Sequence, residues 1–292
     1  MQSTLKYIIL FLVSLQAYSQ EVLTLEDAVK IALENNFEIK IAKNNLKIDE
    51  TNNSLANAGM LPSINANVTN NNSQLNTSQT QSDGSVRNAD NAKNFNIVYG
   101  VSLDWTVFDG LKMFARKEQL ATLELQGKAQ LQGAILSKIG AVYTTYYDLV
   151  QQQQVMASID SAIVISNQRV TTADNRFTIG KASKLEVLNA KVDLNSDKSL
   201  LLNQKENYKN TKIRLNELLA RPLQTDFKVV QEIEFEKNLN YDEVLTTATN
   251  QNPELQTQIL SKKLADINLK HVKGNRYPTV QLTSGYNFNR SE

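Results

Sequence analysis

The sequence contains no cysteine, and this absence excludes several kinds of site at once. There is no disulfide, no thiolate nucleophile, no cysteine-based metal site and no cysteine that could be lipidated as in a bacterial lipoprotein. The sequence also has no excess of positive or negative charge, since 31 basic and 30 acidic residues leave a formal net charge of +1. Nucleic-acid binding usually needs a clustered basic face, so we expect no nucleic-acid partner.

Enzyme signatures are equally scarce. His271 is the only histidine, and it lies in a predicted helix beside Lys270 and Lys273, without a partner for a catalytic triad or a metal. No glycine-rich phosphate loop, nucleophile elbow or paired-carboxylate motif occurs, and the acidic residues are scattered along predicted helices. We therefore expect a protein that is not an enzyme and that has no cofactor and no metal.

Apolar runs long enough for a transmembrane helix are absent. The longest run, Tyr7–Leu15, follows Lys6 and precedes the small residues Ala17 and Ser19. This order is typical of a secretory signal peptide, and its apolar part is too short to span a bilayer. We expect a signal peptide at 1–19 and an exported protein that begins at Gln20; the alternative is a buried N-terminal helix.

A stretch without proline, from Leu111 to Phe177, carries a seven-residue repeat of apolar side chains. The repeated residues are Ile135, Val142, Leu149, Met156, Ile163, Val170 and Phe177. At ~1.5 Å per residue, one helix over this stretch would be on the order of 100 Å long. So long a periodic run is typical of a coiled coil, which supercoils with a left hand against neighbouring helices.

The long helix is followed by a turn and a returning helix. Gly180 can close the first helix and Ser183 can cap the second, which repeats apolar residues every seven positions and stops before Pro222. Its repeated residues are Val187, Leu194, Leu201, Tyr208 and Leu215. The prediction is a helical hairpin over 111–220 with its tip at Gly180. A short extended segment, Phe227–Phe235, is expected next.

Two stretches alternate with the period of a β-strand, at about 62–70 and 95–108. The polar run between them, Asn70–Asn94, predicts a long exposed loop. The second stretch exceeds the ~9–11 residues that a tilted strand needs to cross a bilayer, and aromatic residues lie near its ends. Its apolar face comprises Phe95, Ile97, Tyr99, Val101, Leu103, Trp105 and Val107. We expect a membrane strand, with a soluble hairpin as the alternative.

The beginning of the chain recurs after 216 residues. Without a gap, this offset aligns Ala32 with Ala248, Asn36 with Asn252 and Pro62 with Pro278, among other pairs. Such a period is too long for a solenoid unit and indicates a duplicated half. We predict a first repeat over 20–239 and the incomplete start of a second repeat over 240–292, as in a fragment or truncated member of a longer protein.

Several motifs together resemble the outer-membrane efflux protein family, the TolC-like channels. They are LTLEDAVKIALENN from Leu23, AGMLPSI from Ala58, DWTVFDG from Asp104, RFTIGKASKLEVLNA from Arg176, and NPELQ and RYPTV in the second copy. The resemblance implies a mainly α fold with membrane β-strands, in which coiled-coil helical hairpins form an α-barrel joined to a β-barrel. It also implies a homotrimer in the outer membrane with its helices in the periplasm.

The function implied by this resemblance is passive export from periplasm to exterior, in a tripartite efflux pump or a type I secretion system. The implied partners are outer-membrane lipid, a periplasmic adaptor protein that docks at the hairpin tip and, through it, an inner-membrane pump. Arg176, Phe177, Gly180, Lys181, Ser183, Leu185 and Leu188 form the tip motif. The alternative is a secreted or surface coiled-coil protein, such as an adhesin with a helical stalk.

Overall fold

The structure, a computed structural model, describes residues 21–231 and 239–291. The predicted signal peptide and the end of the predicted extended segment, from 232, lie outside the described residues. The elements are β1 (Glu21–Leu23), α1 (Leu25–Asn35), α2 (Phe37–Asn52), β2 (Ser63–Thr80), β3 (Val86–Phe108), α3 (Lys112–Thr178), α4 (Lys184–Leu218), β4 (Phe227–Val229), α5 (Tyr241–Gln251), α6 (Pro253–Gly274) and β5 (Val280–Ser291). Two compact units contain them, one from 21–43 and 131–250, the other from 44–130 and 251–291.

The core of the first unit lies where the middle of α3 and the end of α4 meet the two short strands. β1 and β4 pair in parallel, and Leu23 and Phe227 from them are buried together with Val142, Leu149 and Leu215 of the hairpin. Burying a large apolar side chain contributes about 1.5–3 kcal/mol, so this cluster anchors the hairpin at the end opposite its tip.

Tyr146 joins this core to the strands by hydrogen bonds. Its hydroxyl donates to the Leu23 carbonyl oxygen (2.9 Å) and accepts from the Val230 amide (3.0 Å). Burial raises the pKa of Tyr146, which favours the protonated hydroxyl that this donation requires.

The seven-residue pattern of the long helix is confirmed as a packing seam. Val142 and Leu149 are fully buried, and Met156, Ile163 and Val170 are partly buried. A second row three residues further on includes the buried Ile159, Ser166 and Ala173. On α4 the predicted positions Val187, Leu194 and Leu215 are buried. The two rows are those that a heptad pattern places toward a partner helix. Phe177 is an exception, with 43% of its surface exposed, because α4 begins only at Lys184.

Polar side chains cap the starts of two helices, at Ser183 as predicted and also at Thr24. The Thr24 hydroxyl accepts from the Asp27 amide (3.1 Å), and the Ser183 side chain accepts from the Glu186 amide (3.3 Å). Asp27 departs from the usual capping box, because its carboxylate accepts from the Thr24 hydroxyl (2.6 Å).

Helices that lie 216 residues apart in the chain correspond closely. The helices α1 and α5 have 11 residues each and begin at the aligned positions Leu25 and Tyr241. Asn36 and Asn252 each cap the helix that follows, by accepting from backbone amides two and three residues ahead. The start of the following helix is therefore made by the same side-chain chemistry at both aligned positions.

The predicted loop over Asn70–Asn94 is wrong for most of its length. β2 extends to Thr80 and β3 begins at Val86, so the two strands form one long antiparallel hairpin with a turn at 81–85. Gly84, with a φ of +85°, closes this turn. The segment is polar on both faces, so its sequence shows no alternation of apolar residues. Backbone pairing between the strands holds it instead.

The second unit contains a three-stranded antiparallel sheet in the order β2–β3–β5. No helix in the part of the chain that the structure describes combines the length and hydropathy needed to cross a membrane.

Candidate membrane face and hairpin tip

One face of the three-stranded sheet is apolar across all three strands in two adjacent rows, and beyond them Ile97 of the middle strand lies between the polar Asn70 and Arg290. In successive rows, Tyr99 lies between Val68 and Phe288, and Val101 lies between Ala66 and Tyr286. The Tyr99 and Phe288 rings stack with their centroids 5.2 Å apart, and Tyr286 meets Phe288 edge to face at 4.8 Å. The predicted strand therefore forms the centre of a wider apolar surface.

This apolar face is open to its surroundings. Tyr99 is 45% exposed and Val101 is 50% exposed, although they occupy the middle strand. On the flanking strands Val68, Tyr286 and Phe288 are also exposed. Contiguous exposed apolar surface of this kind indicates contact with lipid or with another protein.

The C-terminal end of the central strand carries two features that the sequence alone does not reveal. The Trp105 indole nitrogen donates to the Met60 carbonyl oxygen (3.2 Å). A bulge in the pairing with β5 falls at Val107, so Phe108, opposite Val280, occupies the next position on the apolar face. Val107 was predicted on that face; the bulge takes it out of the regular alternation with β5.

The opposite face of the sheet is polar. It carries Asn65, Asn67, Asn96, Ser102, Asp104, Thr283 and Asn287, among others. The Asn65 amide donates to the Asp104 carboxylate (3.5 Å), and the Asn287 side chain lies over Gly100, where a Cβ would be 1.9 Å from its oxygen. Gly100 thus makes room for a neighbouring amide on this polar face.

The hairpin tip is closed by a Schellman motif. The Gly180 amide donates to the Phe177 carbonyl oxygen (2.9 Å) and the Lys181 amide to that of Arg176 (2.7 Å). Gly180 has a φ of +74°, a conformation that glycine adopts without steric cost. The predicted glycine turn and the Ser183 cap are both present.

The predicted tip side chains lie together on an exposed surface. Leu185 is 64% exposed and Leu188 is 50% exposed, and the Arg176 guanidinium pairs with the Glu186 carboxylate at 3.0 Å. Sequence reasoning missed Ile179, which is 66% exposed beside Gly180. Its apolar character within the turn is the signal that could have found it, because an exposed turn has no packing use for such a residue.

Metal ligands do not converge in the described ranges. Among residues 21–231 and 239–291, no group of three or more His, Asp or Glu side chains could hold a metal ion.

The fold thus combines a long coiled-coil hairpin with a sheet that is apolar on one face and polar on the other. The model of the family described as "Outer membrane efflux protein" matches residues 28–221, about two thirds of the chain. This protein belongs to the outer membrane efflux protein family.

Solved structures show the same fold at low sequence identity. The CmeC outer membrane channel of Campylobacter jejuni is 14% identical, with a TM-score of 0.73 over 92% of this chain and 61% of its own. The outer membrane protein VceC of Vibrio cholerae is 16% identical, with a TM-score of 0.69 over 92% of this chain and 67% of its own. The CusC channel is 14% identical, with a TM-score of 0.69 over 91% of this chain and 60% of its own. The chain therefore spans about three fifths of the length of the CmeC channel. A comparison with curated proteins finds no match.

Proposed function

We propose that this protein contributes to a trimeric channel that exports solutes passively across the outer membrane. The observation that carries the proposal is the apolar face shared by β2, β3 and β5, in a chain of the outer membrane efflux protein family. A secreted stalk or adhesin has no use for such a face, so the coiled-coil alternative does not account for the sheet.

The length of the alternating apolar row along β3 fits a bilayer. From Phe95 to Trp105, about ten residues at ~3.3 Å each give roughly 33 Å along the strand. With the 35–45° tilt of membrane strands, that length projects to about 25 Å, the height of the apolar band in outer-membrane proteins. Lipid on one side and water on the other would explain why Val101 and Ser102 differ in polarity.

The helical hairpin would lie in the periplasm, with its tip toward an adaptor protein. Supporting features are the exposed apolar side chains Ile179, Leu185 and Leu188 and the charged Arg176 and Lys181 around one turn. Apolar anchors surrounded by charged groups are typical of a protein interface. The adaptor would connect the channel to an inner-membrane pump, in a tripartite efflux system or in type I secretion.

Charge reversal at the tip tests the adaptor contact. We expect Arg176→Glu to reduce export and adaptor cross-linking, both because it places like charges beside Glu186 and because it removes a cation from the docking surface. The double variant Arg176→Glu/Glu186→Arg restores an ion pair within the tip while it changes the charge pattern that a partner meets.

The two variants separate turn stability from partner recognition. If the tip contacts an adaptor, the double variant stays defective in cross-linking although its thermal stability matches the unmodified protein. Recovery of full export by the double variant would show that the pair serves only the turn. Export can be measured as accumulation of a fluorescent pump substrate in cells that produce each variant.

A further inference from the structure

A pocket of about 350 Å³ lies where the strands of the second unit meet its helices. We call it the junction pocket; its main side chains are Leu111, Phe114, Glu118, Lys270, Lys273 and Tyr277. Its volume lies at the lower end of the range for small-molecule sites, about 300–1,000 Å³.

Two glycines bring the walls of the pocket together. A Cβ on Gly110 would lie 2.3 Å from the Gly274 carbonyl oxygen, and one on Gly274 would lie 2.5 Å from the Lys112 Cγ atom. The close approach of α3 and α6 therefore depends on both glycines, and the pocket is a built feature of the fold.

The floor of the pocket is apolar and exposed. Leu111, Phe114 and Tyr277 are 56%, 59% and 57% exposed. Leu111 also has a φ of +68°, a left-handed conformation that is strained for leucine. In solvent, the exposed Leu111 side chain makes few packing contacts that would offset this backbone strain. An apolar ligand packed against Leu111, Phe114 and Tyr277 would bury all three side chains.

The two segments that form the pocket are rich in basic residues, of which Lys270 and Lys273 line the pocket itself. Residues 109–118 and 270–277 contain six Lys or Arg and only two acidic residues. The Lys270 ammonium donates to the Glu118 carboxylate at 2.8 Å, which holds the pKa of that carboxyl below its usual value. Lys273 also lines the pocket and sits in the last turn of α6.

The place of the pocket in the chain matches a membrane–water boundary. β3 ends at Phe108, three residues before Leu111, and β5 begins at Val280, three residues after Tyr277. The floor residues Leu111 and Tyr277 therefore lie close in the chain to the ends of the two strands that carry the apolar face. A lysine at a membrane–water boundary favours binding of the anionic headgroups of lipids.

We propose that the junction pocket binds an anionic phospholipid of the periplasm-facing leaflet. An acyl chain packs against Leu111, Phe114 and Tyr277, and the phosphate lies near the Lys273 ammonium. This inference rests on the proposed function, since it requires that the sheet enters the outer membrane. A second copy of this chain fits less well, because it would have to supply both apolar and acidic groups beside Lys270 and Lys273.

Native mass spectrometry of the purified full chain, titrated with phosphatidylglycerol, tests the proposal. Lys273→Gln removes one basic charge and should weaken phosphatidylglycerol binding about fivefold, the effect of one lysine near an anionic surface. Lys262→Gln, on the exposed surface of the same helix outside the pocket, is the matched control and should leave binding unchanged. Phosphatidylcholine with the same acyl chains should bind several-fold more weakly than phosphatidylglycerol.

The other outcomes decide against the proposal in distinguishable ways. Equal binding by the two glutamine variants would contradict the assignment of the pocket as the lipid site. It would not contradict membrane insertion, which is scored separately by vesicle flotation. A change of oligomeric state in Phe114→Ala without a change in lipid binding would identify a second copy as the occupant. Failure of the unmodified protein to float with vesicles would overturn the proposed function and this inference together.

Discussion

Single residues with unusual backbone conformations follow the ends of both helices of the hairpin. Gly180 and Ala220 both have positive φ, +74° and +51°, and both follow a helix end with the same pair of backbone hydrogen bonds. Glycine takes this conformation without penalty, whereas the Cβ of alanine is crowded by the following carbonyl. The two turns thus have the same geometry at different steric cost.

The replacement Ala220→Gly should stabilise the protein. Relief of the left-handed alanine is expected to raise the free energy of unfolding by about 1 kcal/mol, less the extra entropy of glycine in the unfolded chain. Thermal unfolding followed by circular dichroism measures the change. A lower melting temperature would show that the Ala220 side chain contributes packing that outweighs its strain.

At the scale of elements, the seven-residue seam determines how the two hairpin helices pack. Leu149→Ala should lower the free energy of unfolding by about 2–5 kcal/mol, because Leu149 is fully buried where α3 meets the strands. The matched control is Leu136→Ala on the same helix, where the side chain is 50% exposed and the expected loss is below about 0.5 kcal/mol. Equal losses in urea unfolding would mean that Leu136 is covered in the assembled protein.

The two faces of the sheet provide a second test at this scale. Val101→Lys places a charge on the apolar face and should cost roughly 2–4 kcal/mol of membrane insertion, whereas Ser102→Lys adds the same charge to the polar face at little cost. The two positions are adjacent in the chain, so strand propensity is nearly matched. Recovery from outer-membrane fractions measures insertion, and similar recovery of both variants would contradict the lipid-facing assignment.

At the scale of the whole molecule, the proposed channel predicts a homotrimer in the outer membrane. Unheated samples of outer-membrane fractions should migrate in detergent gels as a trimer, and boiled samples as a monomer, because closed strand pairing resists detergent until it is heated. Recovery of the protein only from the soluble periplasmic fraction would contradict the proposal. The helical hairpin alone, with its solvated surface, would give no heat-dependent shift.

The balanced charge of the whole sequence conceals a local concentration of basic residues. The basic residues near Lys112 and those near Lys273 are about 160 positions apart in the chain and meet only because β3 and β5 are neighbours in one sheet. The sequence excluded a broad basic face, but a cluster assembled from two distant segments is invisible to composition.

Local patterns in the sequence determined the two hairpin helices, their caps, the glycine turn at the tip and the alternation of the central strand, because each depends mainly on residues close in the chain. Only the tertiary structure decided the extent of the polar hairpin over 70–94, where backbone pairing replaces a side-chain pattern. It also decided the bulge at Val107 and the junction pocket. These features arise where separate segments meet, and their pairing register depends on the partner strand.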